Sequence, residues 1–320
     1  SPDGNYVMVT QIKKPFSYLV TYGRFPSQTD IYTKEGKLVT NILDTPLIEE
    51  LPKGFMSTRT GKRSFNWRSD KAATLIYVEA LDGGDPANVV DYRDEVFELE
   101  APFNGEGKSL IKTINRFAGI DWGNANLAIA YDRWWNTRNT KAYAFNPSNN
   151  DIEPKIINDR NYQDAYSDPG TFMKERNSYN RSVLKLHSGS AFLRGAGFTS
   201  EGQFPFIDKV NVESFSKKRV YQSTYTNKVE SIQDYDPSKK QLMVRIESPT
   251  EFPNYYTKKT NSSKLTKVTD FKNPFKELQN VKKQTITYTR DDGLELSGIL
   301  YLPLNYDEEK KEKMPMILWA

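Results

Sequence analysis

The 320-residue sequence has no cysteine. That excludes structural disulfides, cysteine–zinc sites and thiol catalysis. It has a single histidine, His187, so neither H-x-x-H nor H-E-x-x-H occurs and no zinc site is offered. The string G-x-S-x-G, which presents a serine nucleophile on a sharp strand-to-helix turn, is also missing. Gly189-Ser190 and Thr199-Ser200-Glu201-Gly202 come nearest and lack the spacing. With one histidine and no such turn, these residues cannot assemble a Ser-His-Asp triad. His187 itself sits in a strand pattern with Val183, Leu184 and Leu186 and reads as a structural residue. No apolar run approaches the roughly 18 residues of a membrane span, and the mean hydropathy is −0.71. Neither sign of charge dominates. Lys and Arg number 45, Asp and Glu 41, and apart from short runs such as Ser216-Lys217-Lys218-Arg219 they are interspersed. This is a solvated mixed surface, and no nucleic-acid partner is expected.

What is present favours strands. Aromatic residues make up 13% of the chain, with 19 Tyr and 17 Phe, types that fit a pleated, half-buried surface. A turn rich in Ser, Asp, Gly and Asn recurs, starting at residues 1, 68, 122, 167 and 234. Each copy is followed by an alternating apolar segment: Tyr6–Ile12, Thr74–Ala80, Leu127–Trp134, Val183–His187 and Gln241–Ile246. Around Trp122 the unit is complete, with strands expected at 117–122, 127–134, 141–146 and 154–158. Four antiparallel strands in about 40–50 residues is the repeat of a β-propeller blade. The expectation is the tail of one blade over 1–44 and fuller blades over about 55–115, 116–160, 161–225 and 228–270. A face-packed β-sandwich would show shorter and more even spacing.

After the last blade, residues 271–283 read as a linker, with a turn at Asn273-Pro274 and a short helix over Phe275–Val281. Two alternating segments, Thr285–Thr289 and Leu294–Leu302, flank the turn Arg290-Asp291-Asp292-Gly293 and predict a hairpin. Met314–Ala320 is almost wholly apolar, as in a strand buried on both faces of an α/β sheet.

Several segments together resemble one family. They are SFNWRSDKAATLIYVEALDGGD (64–85), AYSDPGTF (165–172), FLRGAGFTSEGQFPFID (192–208) and VTDFKNPFKELQNVKKQTITYTRDDG (268–293), followed by LYLP and a strand of the form P-x-I-L. In this order they resemble the prolyl-oligopeptidase superfamily of serine peptidases, in its glutamyl endopeptidase branch. The resemblance implies an all-β partial propeller of four-stranded antiparallel blades over 1–283, with upstream blades missing. The truncated start of an α/β-hydrolase domain would follow over 284–320. It also implies a catalytic Ser, Asp and His downstream of residue 320, an acyl-enzyme mechanism and peptide substrates. The propeller would pack on its own hydrolase domain, and no metal or cofactor is implied. The 320 residues alone would then be inactive. A dipeptidyl or acylaminoacyl peptidase of the same superfamily, or a non-catalytic propeller that binds proteins, would share the blade pattern. The sequence leaves the compartment open, with a periplasmic or secreted setting favoured over the cytoplasm.

A peptidase that selects glutamate needs a cation for the side-chain carboxylate, and the planar fork of arginine suits it. The candidates are Arg63, ahead of the strand ending at Trp67, Arg138, on what reads as a long loop beside Trp134-Trp135, and Arg194, opening the FLRGAG segment. Arg59 and Arg133 lie close to these in sequence. Glu49-Glu50 resembles an amine-anchoring pair of dipeptidyl peptidases, but its LIEELPKGF context matches the other branch. Asp82-Gly83-Gly84-Asp85 is too short for a calcium loop. Gly195-Ala196-Gly197 lacks the G-K-[ST] of a phosphate loop and reads as a hairpin turn.

Overall fold

The computed structural model describes residues 1–278, 280–310 and 312–319. Strands account for 47% and helix for 2%, so the expected all-β class is observed. Three strands come first: β1 (Tyr6–Ile12), β2 (Ser27–Thr33) and β3 (Leu38–Thr45). Next come β4 (Arg63–Trp67), β5 (Thr74–Ala80), β6 (Asp94–Glu100) and β7 (Lys108–Thr113), then β8 (Arg116–Asn124), β9 (Leu127–Trp134), β10 (Asn139–Phe145) and β11 (Lys155–Asn161). Each group pairs antiparallel in sequence order as one sheet. The next sheet begins at β12 (Thr171–Phe172), is interrupted by a hairpin of β13 (Lys174–Arg176) and β14 (Ser182–Leu184), and resumes at β15 (Ser190–Gly195). A second small hairpin, β16 (Phe198–Thr199) with β17 (Gly202–Gln203), precedes β18 (Phe206–Asn211) and β19 (Lys217–Gln222). A last four-stranded sheet is β20 (Val229–Asp236), β21 (Gln241–Glu247), β22 (Asn254–Lys259) and β23 (Thr266–Lys267). Successive four-stranded antiparallel sheets are propeller blades, not the two face-packed sheets of a sandwich.

The chain divides into two compact units. One holds Ser1–Thr224 and Asp234–Lys240, the other Tyr225–Gln233 and the chain from Gln241. Within the first unit, the two-residue side-chain period of a strand explains how the blades stack. Leu75 and Tyr77 of β5 pack toward Ile31 of the preceding sheet. Ile76 and Val78, on the opposite face, pack with Trp122, Ala128 and Ala130 of the following sheet. The pattern repeats one sheet on, where Leu127 and Ile129 turn to Phe172, Ala191 and Leu193. Central strands are therefore apolar on both faces, while last strands such as β11 and β19 are largely exposed. Burying each such side chain contributes about 1.5–3 kcal/mol.

The second unit is held differently. The side chain of Lys258 donates to Glu230 Oε1 at 3.2 Å, both groups being buried. Asn254 Oδ1 accepts from Thr269 Oγ1 (2.9 Å) and from the Phe271 amide (2.7 Å), which fixes the chain leaving β23. The expected hairpin is present as β24 (Lys282–Thr289) and β25 (Glu295–Leu302), closed by Gly293 N–H donating to Arg290 O at 2.8 Å.

Three expectations are corrected. The fourth recurring turn leads into the short β12, and the strand that pairs next to it in the blade is β15, not Val183–His187. Val183 and Leu184 are buried, but as parts of an inserted hairpin that packs on neighbouring blades. Apolar alternation reports burial and does not say which sheet supplies it. The helix over Phe275–Val281 is a single 3-10 turn, Lys276–Leu278, and Gln279 lies outside the described residues. Met314–Trp319 forms no strand, and Ile317 and Trp319 are each 93% exposed; Ala320 lies outside the described residues. A strand requires a ladder partner, and β24 and β25 pair only with each other among the described residues.

Candidate functional site

In the three four-stranded blades of the first unit, the second-to-third strand hairpin and the start of the first strand share one edge. Register shows this directly: Arg63 pairs with Val78 near the end of β5, Ala80 with Asp94, and Trp134 with Asn139. Thr171 pairs with Arg194 in the same sense. Residues far apart in sequence converge here, and arginine and aromatic side chains dominate.

The convergence is organised by two buried carboxylates. Asp82 Oδ1 accepts the Gly84 amide at 2.9 Å, while Oδ2 lies 2.8 Å from Arg93 Nη1 and 2.8 Å from Arg116 Nη2. Asp94 Oδ2 accepts the Phe117 amide at 2.8 Å, and Oδ1 accepts from Arg116 Nη1 at 3.0 Å. Arg63 Nη2 stands 2.6 Å from the same Oδ1 but is misaligned for a hydrogen bond, so this contact is coulombic. Both carboxylate side chains are fully buried, which stabilises the fold only because each is paired. Arg116 also donates from Nε to the Met56 carbonyl at 2.9 Å, tying the β3–β4 connection to the next blade. Three arginines face two carboxylates, leaving the edge cationic. Arg59, half-buried beside Arg63, is pushed below its ordinary pKa by burial first and by the Arg63 charge second.

Gly84 locks this edge. Its φ is +77°, its carbonyl accepts the Thr58 amide at 3.0 Å, and a Cβ there would lie 2.0 Å from the Thr58 carbonyl oxygen. Gly84→Ala should cost roughly 2–4 kcal/mol, combining left-handed strain with a backbone clash. The shift in urea midpoint reads this out; a change within error would disprove the lock.

The three predicted arginines lie on three different sheets of this edge. Arg63 is mostly buried and bound to Asp94. Arg194 is exposed at the end of β15. Arg138 occupies a four-residue connection, Trp135–Arg138, between β9 and β10, so the long loop expected there is a tight hairpin. Its φ is +55° and its amide donates to the Trp135 carbonyl at 3.2 Å. Its guanidinium lies 3.9 Å over the Trp135 ring, and Phe55 stacks on that ring at 4.9 Å with planes 30° apart. Arg93 lies 3.9 Å over Trp134 in the same way. Arg93, Arg116 and Phe55 were not legible as site residues. Only the DGG turn at 82–84 signals the loop that gathers them.

His187 and Glu49 both lie on the surface. His187 is exposed in a turn bridging to Ser190. Glu49 accepts from Ser17 Oγ at 2.8 Å on the surface. Among the described residues no group of three His, Cys, Asp or Glu is placed to hold a metal, and no helix is long and apolar enough to cross a membrane.

No family model matches the chain. Two curated proteins do. The "Probable glutamyl endopeptidase, chloroplastic" of Oryza sativa subsp. japonica is 35% identical over 336 aligned positions, covering all of this chain and 36% of that protein. Its namesake in Arabidopsis thaliana is 33% identical over 337 positions, covering all of this chain and 35% of that protein. The chain is similar over its whole length to these two probable glutamyl endopeptidases. It spans about a third of the length of these relatives. The resemblance read from the four segments therefore holds along the full 320 residues. Among solved structures, dipeptidyl peptidase 4 of Porphyromonas gingivalis matches with a TM-score of 0.46 and 12% identity, over 89% of this chain and 50% of that one.

Proposed function

We propose that these residues form the access and specificity part of a serine peptidase selecting glutamate-containing peptides. In this reading residues 1–283 are its propeller, and 284–320 open an α/β-hydrolase domain that packs on it. The catalytic Ser, Asp and His belong to sequence outside these 320 residues. The observation that carries the reading is the similarity, along all of this chain, to two probable glutamyl endopeptidases, in a chain with no G-x-S-x-G and one surface histidine. The missing serine would attack the peptide carbonyl and release the amine; water would then cleave the acyl-enzyme ester. The propeller would admit short peptides and supply positive charge. Arg138 and Arg194 would meet the substrate, whereas Arg63 would act through its buried ion pair.

The test is hydrolysis of a fluorogenic glutamyl peptide by the 320-residue chain and by the protein of the complete gene. The shorter chain should give no turnover above buffer. The complete protein should cleave after glutamate and be silenced by a fluorophosphonate. Inhibitor-sensitive turnover by the 320 residues would refute the placement of the triad. An inactive complete protein would refute the peptidase reading and leave a binding propeller.

A further inference from the structure

A second feature of the arginine edge is its openness. A pocket for the residue at the cleaved bond must desolvate a carboxylate, and an unpaired buried carboxylate is costly. Phe55 is 66% exposed and Trp135 40% exposed, so their stack cannot enclose a side chain. It can hold one against a surface.

Arg138 differs from the arginines beneath it. Arg63, Arg93 and Arg116 are all within ion-pair distance of Asp82 or Asp94. Arg138 has no carboxylate in ion-pair distance among the described residues; its Nη1 donates only to the Trp135 carbonyl, at 2.9 Å. That bond and the ring beneath hold the guanidinium plane in place while leaving further N–H donors for an anion. The platform is also fixed from below, because Arg116 grips the carbonyl of Met56, the residue after Phe55. An arginine stacked on tryptophan loses less freedom on binding than a free one.

We infer that Phe55, Trp135 and Arg138 form an open, preformed subsite that captures a Glu or Asp side chain of an extended peptide. This rests on the peptidase reading for the origin of the peptide, but not for the binding itself. The rings take the peptide's apolar surface and the guanidinium takes the carboxylate. Such a site recruits acidic peptides.

The probe is a ten-residue peptide carrying three Glu residues, compared with the same peptide carrying Gln, titrated against the 320-residue chain by calorimetry. The Glu peptide should bind at least about tenfold more tightly, and weaken as salt rises, because the exposed charge pair is screened. Arg138→Gln should erase the difference between the two peptides. Arg138→Lys should restore only part of it, since the ammonium keeps charge without the planar fork. Trp135→Leu should weaken both peptides. Equal binding of Glu and Gln peptides, no binding of either, or an Arg138→Gln chain that still discriminates would overturn the inference. The two readings fail separately. Lost discrimination leaves hydrolysis by the complete protein untouched as evidence, whereas an inactive complete protein that still captures acidic peptides removes only the peptidase.

Discussion

Asp94→Ala should lower the unfolding free energy by about 3–5 kcal/mol, the range found when one partner of a buried ion pair is removed. Asp94 is fully buried and serves three donors: Arg116, the Phe117 amide and, electrostatically, Arg63. Alanine would take this acceptor from Arg116 and the Phe117 amide, strip Arg63 of its paired charge, and remove the carboxylate that joins Arg63 to Arg116 of the next blade. Urea denaturation monitored by tryptophan fluorescence measures the loss. Asp270→Ala is the control, because its partners Lys267 and Lys272 are solvent-exposed and the midpoint should stay where it is. If Asp94→Ala unfolds within about 1 kcal/mol of the parent, the edge is held by packing and not by its ion pairs. Arg63 is then free to turn toward a ligand.

The second large effect is expected at Asp132, where even an isosteric change should be damaging. Oδ1 accepts from Asn115 Nδ2 (3.1 Å) and the Lys141 amide (2.9 Å); Oδ2 accepts from the Asn115 amide (2.9 Å) and the Tyr143 hydroxyl (2.6 Å). All four contacts are donors and Asp132 is fully buried. Burial first, and then the adjacent Asp132 carboxylate, push the Tyr143 hydroxyl well above its ordinary pKa, so it stays a donor. Asparagine fills the same volume but presents an NH₂ to one pair of donors. Asp132→Asn should therefore cost roughly 2–4 kcal/mol from a misdirected buried amide and the lost charge-assisted bonds. A thermal midpoint equal to the parent's would show that the pocket reorganises or admits water, and that the four-donor reading is wrong.

These two carboxylates show where sequence reading stops. The blades at β4–β7, β8–β11 and β20–β23 were legible because period-two alternation and recurring Asx turns are local signals. Each strand announces its own two faces, and the hairpin β24–β25 follows from its DG turn. The fourth blade was misread at one strand, because Val183 and Leu184 alternate like a blade strand while packing as an insertion. Met314–Trp319 carried a strand's composition, but without a neighbouring ladder that composition produces no strand.

By itself, then, the sequence determined the all-β class, the blade rhythm and the similarity to glutamyl endopeptidases. All of these depend on identities and spacings along the chain. Only the tertiary structure decided which arginines are free. Arg63, Arg93 and Arg116 are consumed by Asp82 and Asp94, whereas Arg138 lies open on Trp135 with Phe55 beside it. Phe55 and Trp135 are 80 positions apart in sequence, and no local pattern encodes their contact. It arises because neighbouring blades bury their faces against each other, and that stacking brings connections from different repeats to one edge.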